Sequence, residues 1–173
     1  MASKSIINVH VGQFGINLAK CLYGDSATSM DKRNAVLADC DNDSLDEFAC
    51  SHKGFEHMVY NNSNDYGNGE YFHSQFTIRL LDQITDEVRK VAEPMDSVQG
   101  LVYYSSLGGS LGSYGLDRIR MTVGKVPIVA AQVYPDVESP DHSLAGPMET
   151  YNFVNNLFDT LSHASLCLMF TNR

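Results

Sequence analysis

Ser105-Ser106-Leu107-Gly108-Gly109-Ser110-Leu111-Gly112-Ser113-Tyr114-Gly115 is a glycine-rich turn between two regular segments. Ahead of it, Gly100-Leu101-Val102-Tyr103-Tyr104 is an apolar run of strand length, and behind it Leu116 to Met121 suits a helix. A glycine turn between a strand and a helix gathers backbone N–H groups at the positive end of a helix dipole. Small residues let an anion approach them closely, so a phosphate chain is one natural occupant. The other reading is purely architectural: the same glycines let a helix lie tightly on a sheet. The turn alone leaves the two readings level.

A second glycine turn lies near the start of the chain. Ile6 to Val11 reads as a buried strand, Gly12-Gln13-Phe14-Gly15 follows at once, and Ile16 to Tyr23 continues as a short apolar helix. The turn lacks the complete Gly-x-Gly-x-x-Gly dinucleotide fingerprint, which weighs against NAD or FAD. Its place after a first strand is where open parallel sheets put their ligands. Further strands are expected at Ala35–Ala38, Val98–Tyr104, Val126–Val133 and Ser165–Phe170, and helices at Gln13–Tyr23, Glu70–Ala92, Gly112–Met121 and Met148–His163. The result is an α/β domain with a Rossmann-like, mostly parallel sheet flanked by helices. The clearest helix carries Phe72, Phe76, Leu80, Ile84 and Val88 in one apolar stripe, joined by Leu81 and Val91, with Pro94 beyond its end. Loops are expected at Gly24–Asn34, Asn61–Gly69 and Tyr134–Pro147.

At 173 residues the chain fits one domain with enough interior to fold unaided. Its 12 basic against 21 acidic side chains leave a formal charge of −9, which argues against nucleic acid and against an anionic membrane as partners. No apolar run has the length of a membrane span, and the N-terminus does not read as a signal peptide. Cys21, Cys40, Cys50 and Cys167 have no Cys-x-x-Cys spacing and are expected to be reduced, mostly buried thiols in a cytosolic protein. The histidines show no paired metal spacing and no serine–histidine–acid set, so they are expected to be structural or exposed.

Taken together, the two turns resemble those of the tubulin superfamily. Val11 to Leu18 is similar to the first nucleotide loop of tubulins, Ala-Gly-Gln-Cys-Gly-Asn-Gln-Ile. Ser106 to Tyr114 resembles their signature Ser-Leu-Gly-Gly-Gly-Thr-Gly-Ser-Gly, departing from it at Ser110, Leu111 and Tyr114. Val36 to Asp41 resembles the family's Val-Asp-Leu-Glu loop, and Asn61 to Tyr71 its Asn-Asn-Trp-Ala-x-Gly-His-Tyr loop. Glu149-Thr150-Tyr151-Asn152 is similar to Glu-Pro-Tyr-Asn, and Thr171-Asn172 to an Asp-Asn at the end of the sixth strand. The pieces occur in the family's order along nearly the whole chain. The resemblance covers residues 1–173 as the N-terminal nucleotide-binding domain only, with the core helix, intermediate and C-terminal domains expected to be absent.

The resemblance implies GTP or GDP as ligand, with magnesium. Gly12, Gln13 and Phe14 would meet the α- and β-phosphates, and Ser106, Gly108, Gly109, Ser110, Leu111 and Gly112 the β- and γ-phosphates. Asn64 would contact the phosphate edge, Glu149 the ribose and Asn172 the guanine. Asp41, with Asp39 beside it, would place magnesium through water; the alternative is a solvated acidic loop from Asp39 through Asp43. Leu111 stands where the family has a threonine hydroxyl, and its loss is worth about 1 kcal/mol of binding.

Two functional readings stay open. One is a divergent GTP- or GDP-binding domain of the cytoplasm and cytoskeleton, at most a weak GTPase, because the activating loop supplied by a neighbouring subunit lies outside this sequence. The other is a non-hydrolysing interaction module with a vestigial pocket, docking on tubulin or a microtubule-based assembly. In both, an apolar flank has to be covered by a cytoskeletal partner or by self-association.

Overall fold

The computed structural model describes residues 5–24, 31–61, 75–109, 111–112, 115–135 and 147–171. Six strands, β1 (Ser5–Val11), β2 (Ala35–Ala38), β3 (His57–Val59), β4 (Val98–Ser106), β5 (Ile128–Tyr134) and β6 (Leu166–Thr171), form one sheet. Every pairing is parallel, and the order is β3-β2-β1-β4-β5-β6. Chain order therefore reverses between β1 and β4, the place where doubly wound sheets open a crevice at the carboxyl ends of their strands.

The helices are α1 (Gly12–Gly24), α2 (Asn42–Ser51), α3 (Gln75–Ala92), α4 (Gly115–Val123) and α5 (Pro147–His163). Both faces of a parallel sheet must be covered, and each receives its own apolar cluster. Ile7, Val9 and Val11 of β1 join Leu80, Leu81, Ile84, Val88 and Val91 of α3 and Leu116 and Ile119 of α4 on one face. Ile16, Ala19 and Tyr23 of α1 meet Leu37 of β2 and Leu45 and Phe48 of α2 on the other. The α3 stripe is core as its periodicity predicts; Phe72 and the side chain of Phe76 lie outside the described residues.

Arg120 of α4 fastens that helix to its neighbours. Its guanidinium donates to the carbonyls of Gly124 and Val126, to His163 O at the end of α5 (2.6 Å from Nη2), and to Ser165 Oγ. Planar, many-donor recognition of carbonyls in this way is the special capability of arginine.

Several elements differ from the sequence expectation. The acidic segment after β2 is no loop: Asp41 is the N-cap of α2, its Oδ1 accepting from the Asp43 N–H at 3.0 Å and its Oδ2 from Ser44 Oγ at 3.1 Å. Edge strand β3 carries no sequence signal, because three residues are too few to show an alternation. The expected helix Gly112–Met121 begins only at Gly115. The thiols depart from expectation as well: all four cysteines are free, but Cys21 and Cys50 are exposed and Cys40 and Cys167 half-buried. Cys21 lies on α1 and Cys50 in the last turn of α2, both exposed on the outer helix layer.

Coverage is incomplete beside β6. Leu166, Leu168 and Phe170 share a face with Val129, Ala131 and Val133 of β5, the side on which α1 and α2 are the helices among the described residues. These three residues are 42–53% exposed. On α5, Tyr151, Val154, Phe158 and Leu161 form a second exposed apolar stripe at helical spacing, Phe158 reaching 70%. No described helix is long and apolar enough to cross a membrane.

Candidate nucleotide site

The loops after β1 and β4 converge because their strands are neighbours, with His10 in register with Tyr104. Between them lies a cavity of about 560 Å³ lined by Gly12, Gln13, Phe14 and Asn17 on one side and Ser106, Gly109, Leu111 and Gly112 on the other. Val11 and Val133 form its floor.

Three glycines of this region serve different ends. Gly12 opens α1 at φ +71°, a conformation costly for any side chain, and the space around it is open. Gly15, one turn on, lies against the sheet: a Cβ there would sit 2.8 Å from His10 C and 3.0 Å from Tyr104 O. Gly109 faces the cavity with no close neighbour except Ser106 O. The first-turn N–H groups of α1, together with the dipole of a 13-residue helix, thus face the crevice.

The turn after β4 is held from behind by α5. Asn156 Nδ2 donates to Leu107 O and Gly109 O, both at 2.8 Å, and Asn152 Nδ2 to Gly108 O at 3.3 Å. A Cβ on Gly112 would fall inside the Asn156 carboxamide, and one on Gly108 would lie 2.8 Å from Glu149 Cγ. These two glycines thus leave room for the side chains of α5, a demand that stands beside the phosphate role the family resemblance implies for them. Deeper in, Gln132 spans Ser105 Oγ and Thr160 Oγ1, each at 2.9 Å, and ties α5 to β4 and β5. Ser105, Gln132, Asn156 and Thr160 are all buried.

Of the residues singled out in the sequence, Gly12, Gln13, Phe14, Ser106, Gly109, Leu111 and Gly112 line one cavity. Gly108 and Glu149 meet beside it, against α5. Asn64, Ser110 and Asn172 lie outside the described residues. Leu111 is 5% exposed and belongs to the core cluster of α3 and α4, so the residue that replaces the family's threonine is anchored in apolar packing. Asn17, four residues after Gln13 and on the same helix face, escapes the sequence reading although its spacing could have revealed it. Asn152 closes the Glu149–Asn152 motif without having been given a role there, and Asn156 carries no such signal.

Asp39 and Asp41 stand at the end of β2 and are not among the cavity-lining residues. Asp39 is 6% exposed; its Oδ1 accepts from the Asp41 N–H, and its buried Oδ2 has no hydrogen-bond partner among the described residues. Burial pushes its carboxyl up to about 6, partly opposed by the main-chain N–H groups of Asp41 and Cys40. An orphaned buried oxygen of this kind fits a cation-bound water. Both oxygens of Asp41 are already engaged by α2. Among the described residues, no three His, Cys, Asp or Glu side chains gather into a metal-holding group.

Comparison with known proteins agrees with this geometry. The family model described as Tubulin/FtsZ family, GTPase domain, matches residues 5–173. A tubulin alpha chain of Eremothecium gossypii is 34% identical over 114 residues, covering 64% of this chain and 24% of that protein. The tubulin alpha-B chain of Neurospora crassa is 30% identical over 148 residues, covering 79% of this chain and 31% of its own length. The tubulin alpha-3 chain of Saccharomyces cerevisiae is 32% identical over 114 residues, covering 64% and 24%. This chain thus spans about a quarter to a third of the length of these curated relatives.

Proposed function

The chain belongs to the Tubulin/FtsZ family, matching its GTPase domain, and from that premise we propose that it binds GTP or GDP in the cavity between the loops after β1 and β4. The observation that carries the proposal is the meeting of Gly12, Gln13 and Phe14 with Ser106, Gly109, Leu111 and Gly112 on one crevice at the reversal of strand order. The amides at the start of α1 bind the proximal phosphates, with the Gln13 carboxamide beside them. The β4 turn supplies main-chain donors and the Ser106 hydroxyl to the distal ones. Where magnesium accompanies the nucleotide, Asp39 would be the residue to hold it through water, since both oxygens of Asp41 are taken by α2, and the ion would neutralise charge on the phosphates.

Binding is favoured over turnover. No described residue lining the cavity has an ionisable side chain, so none can take a proton from an attacking water. Phosphoryl transfer needs positioning and charge stabilisation together, and these walls offer mainly the first. Ligand released on denaturing the purified chain, identified by mass spectrometry, is expected to be GDP or GTP at close to one per chain. An empty protein whose melting is unmoved by GTP and magnesium would oppose the proposal.

The interaction-module reading draws its support from a separate observation, the apolar stripe of α5 and the bare face of β6. Exposed apolar side chains of this kind favour a protein partner or a second copy, and family membership makes a cytoskeletal partner, and with it a place in the cytoplasm and cytoskeleton, the favoured reading. Light scattering on the eluting chain is expected to give a mass above 19.1 kDa. A monomer at high concentration argues against self-association.

A further inference from the structure

We infer that Asn156, with Asn152 and Tyr103, is a positioning device that turns the carbonyls of the β4 loop away from the cavity and so aims the Gly108 and Gly109 amides at phosphate, the Leu107 and Gly112 N–H groups being taken by Val133 O and Gly109 O. The inference rests on the nucleotide reading above and extends it to residues that do not line the cavity. Five loop carbonyls are described, those of Leu107, Gly108, Gly109, Leu111 and Gly112, and each accepts a bond from a side chain behind the loop. Asn156 donates to Leu107 O and Gly109 O at 2.8 Å, and Asn152 to Gly108 O at 3.3 Å. The Tyr103 hydroxyl donates to Gly112 O at 2.7 Å and, more weakly, to Leu111 O at 3.3 Å.

The consequence follows from peptide geometry. No peptide bond is cis, so across each plane the N–H of the next residue points opposite to the carbonyl. Fixing Leu107 O and Gly108 O against α5 therefore sends the N–H groups of Gly108 and Gly109 the other way. A loop peptide free to flip would present an oxygen to the phosphate and repel it.

Asn156 is the pivot, because a carboxamide nitrogen has two hydrogens and both are committed to this loop. It is completely buried, and its own helix is fixed by Thr160, whose hydroxyl meets both Asn156 O and Gln132 Oε1 at 2.9 Å. Tyr103 suits the same role, since burial raises its hydroxyl well above the ordinary range and keeps it a neutral donor. Glycine at 112 is the complement of the device, because any side chain would displace the Asn156 carboxamide.

The test is calorimetric binding of GDP and of GMP, with magnesium, to the full chain and to Asn156→Leu, an apolar side chain of similar size. GMP lacks the distal phosphate that the β4 loop serves. Asn156→Leu is expected to weaken GDP about 10- to 100-fold, the cost of losing two oriented hydrogen bonds, and GMP no more than about 2-fold. If Asn156→Leu does not fold, Asn156→Ser, smaller and still polar, is measured in the same way. Equal losses for both ligands, or no loss of GDP in a folded variant, overturn the inference while leaving nucleotide binding intact. A wild-type chain that binds neither nucleotide overturns the nucleotide reading and this inference with it.

Discussion

Gly15→Ala is expected to lower the stability of the chain by about 3 kcal/mol, the upper end of the usual overpacking cost, and its melting temperature by roughly 6–12 °C. The new methyl would meet His10 C at 2.8 Å, Tyr104 O at 3.0 Å and His10 Cα at 3.1 Å. All three are backbone atoms of paired strands and cannot swing aside as a side-chain tip can. The helix must lift instead, separating Ile16 and Ala19 from the cluster they form with Leu37 and Phe48. Lifting α1 also displaces Gly12, Gln13 and Asn17, so nucleotide affinity is expected to fall together with stability. Gly24→Ala is the control, at the other end of the same helix, where the nearest atom is the movable His52 Nε2 at 3.5 Å. Its effect should stay within about 1 kcal/mol, as for an ordinary glycine-to-alanine change in a helix. Equal unfolding curves for the two variants in urea would refute the close-approach argument.

What can be read from the sequence depends on whether an element announces its own periodicity. The four longer strands, the α3 stripe and both glycine turns do so, and their order implies the crevice before any pairing is known. α2 does not: only Leu45 and Phe48 face its core, and the aspartates before them resemble a solvated loop until Asp41 is seen capping the helix. The site divides in the same way. Residues that meet the cavity through the main chain carry a glycine signature, whereas Asn156 acts through a buried side chain in the middle of a helix. An asparagine there looks like any polar surface residue, because burial is decided by where α5 lies and not by its neighbours in sequence. Gly108 and Gly112 show the converse. Their positions are legible and their purpose is not, since Glu149 and Asn156, the side chains that demand them, arrive from some forty residues away.

The stability of His10→Phe relative to the wild type is expected to rise by about 3 kcal/mol between pH 7.5 and pH 4. His10 is fully buried, stacked on Tyr104 at 4.5 Å and set edge-on to Tyr23 at 5.7 Å. Burial pushes its imidazole down from the ordinary 6.5 to about 4, with the Gly15 main chain opposing slightly. The unfolded chain therefore takes up a proton that the folded chain refuses as pH falls from 6.5 to about 4. Stability is lost over that window, and phenylalanine, which keeps the stack and cannot titrate, removes the loss. Asp39 works in the opposite direction. Its folded carboxyl titrates at about 6 against the ordinary 3.8, so between those values the folded state takes up the proton first and gains stability as pH falls. The two effects nearly cancel in the wild type, so a flat profile there is itself expected from this pair. Asp39→Asn should be the more stable chain at pH 7.5 and lose that advantage by pH 4, mirroring His10→Phe. Urea titrations at both pH values, without added magnesium, read the two differences directly. A His10→Phe difference unchanged across the window would mean that the imidazole is solvated or already paired when folded, and the tight seat of α1 on the β1–β4 junction would have to be redrawn.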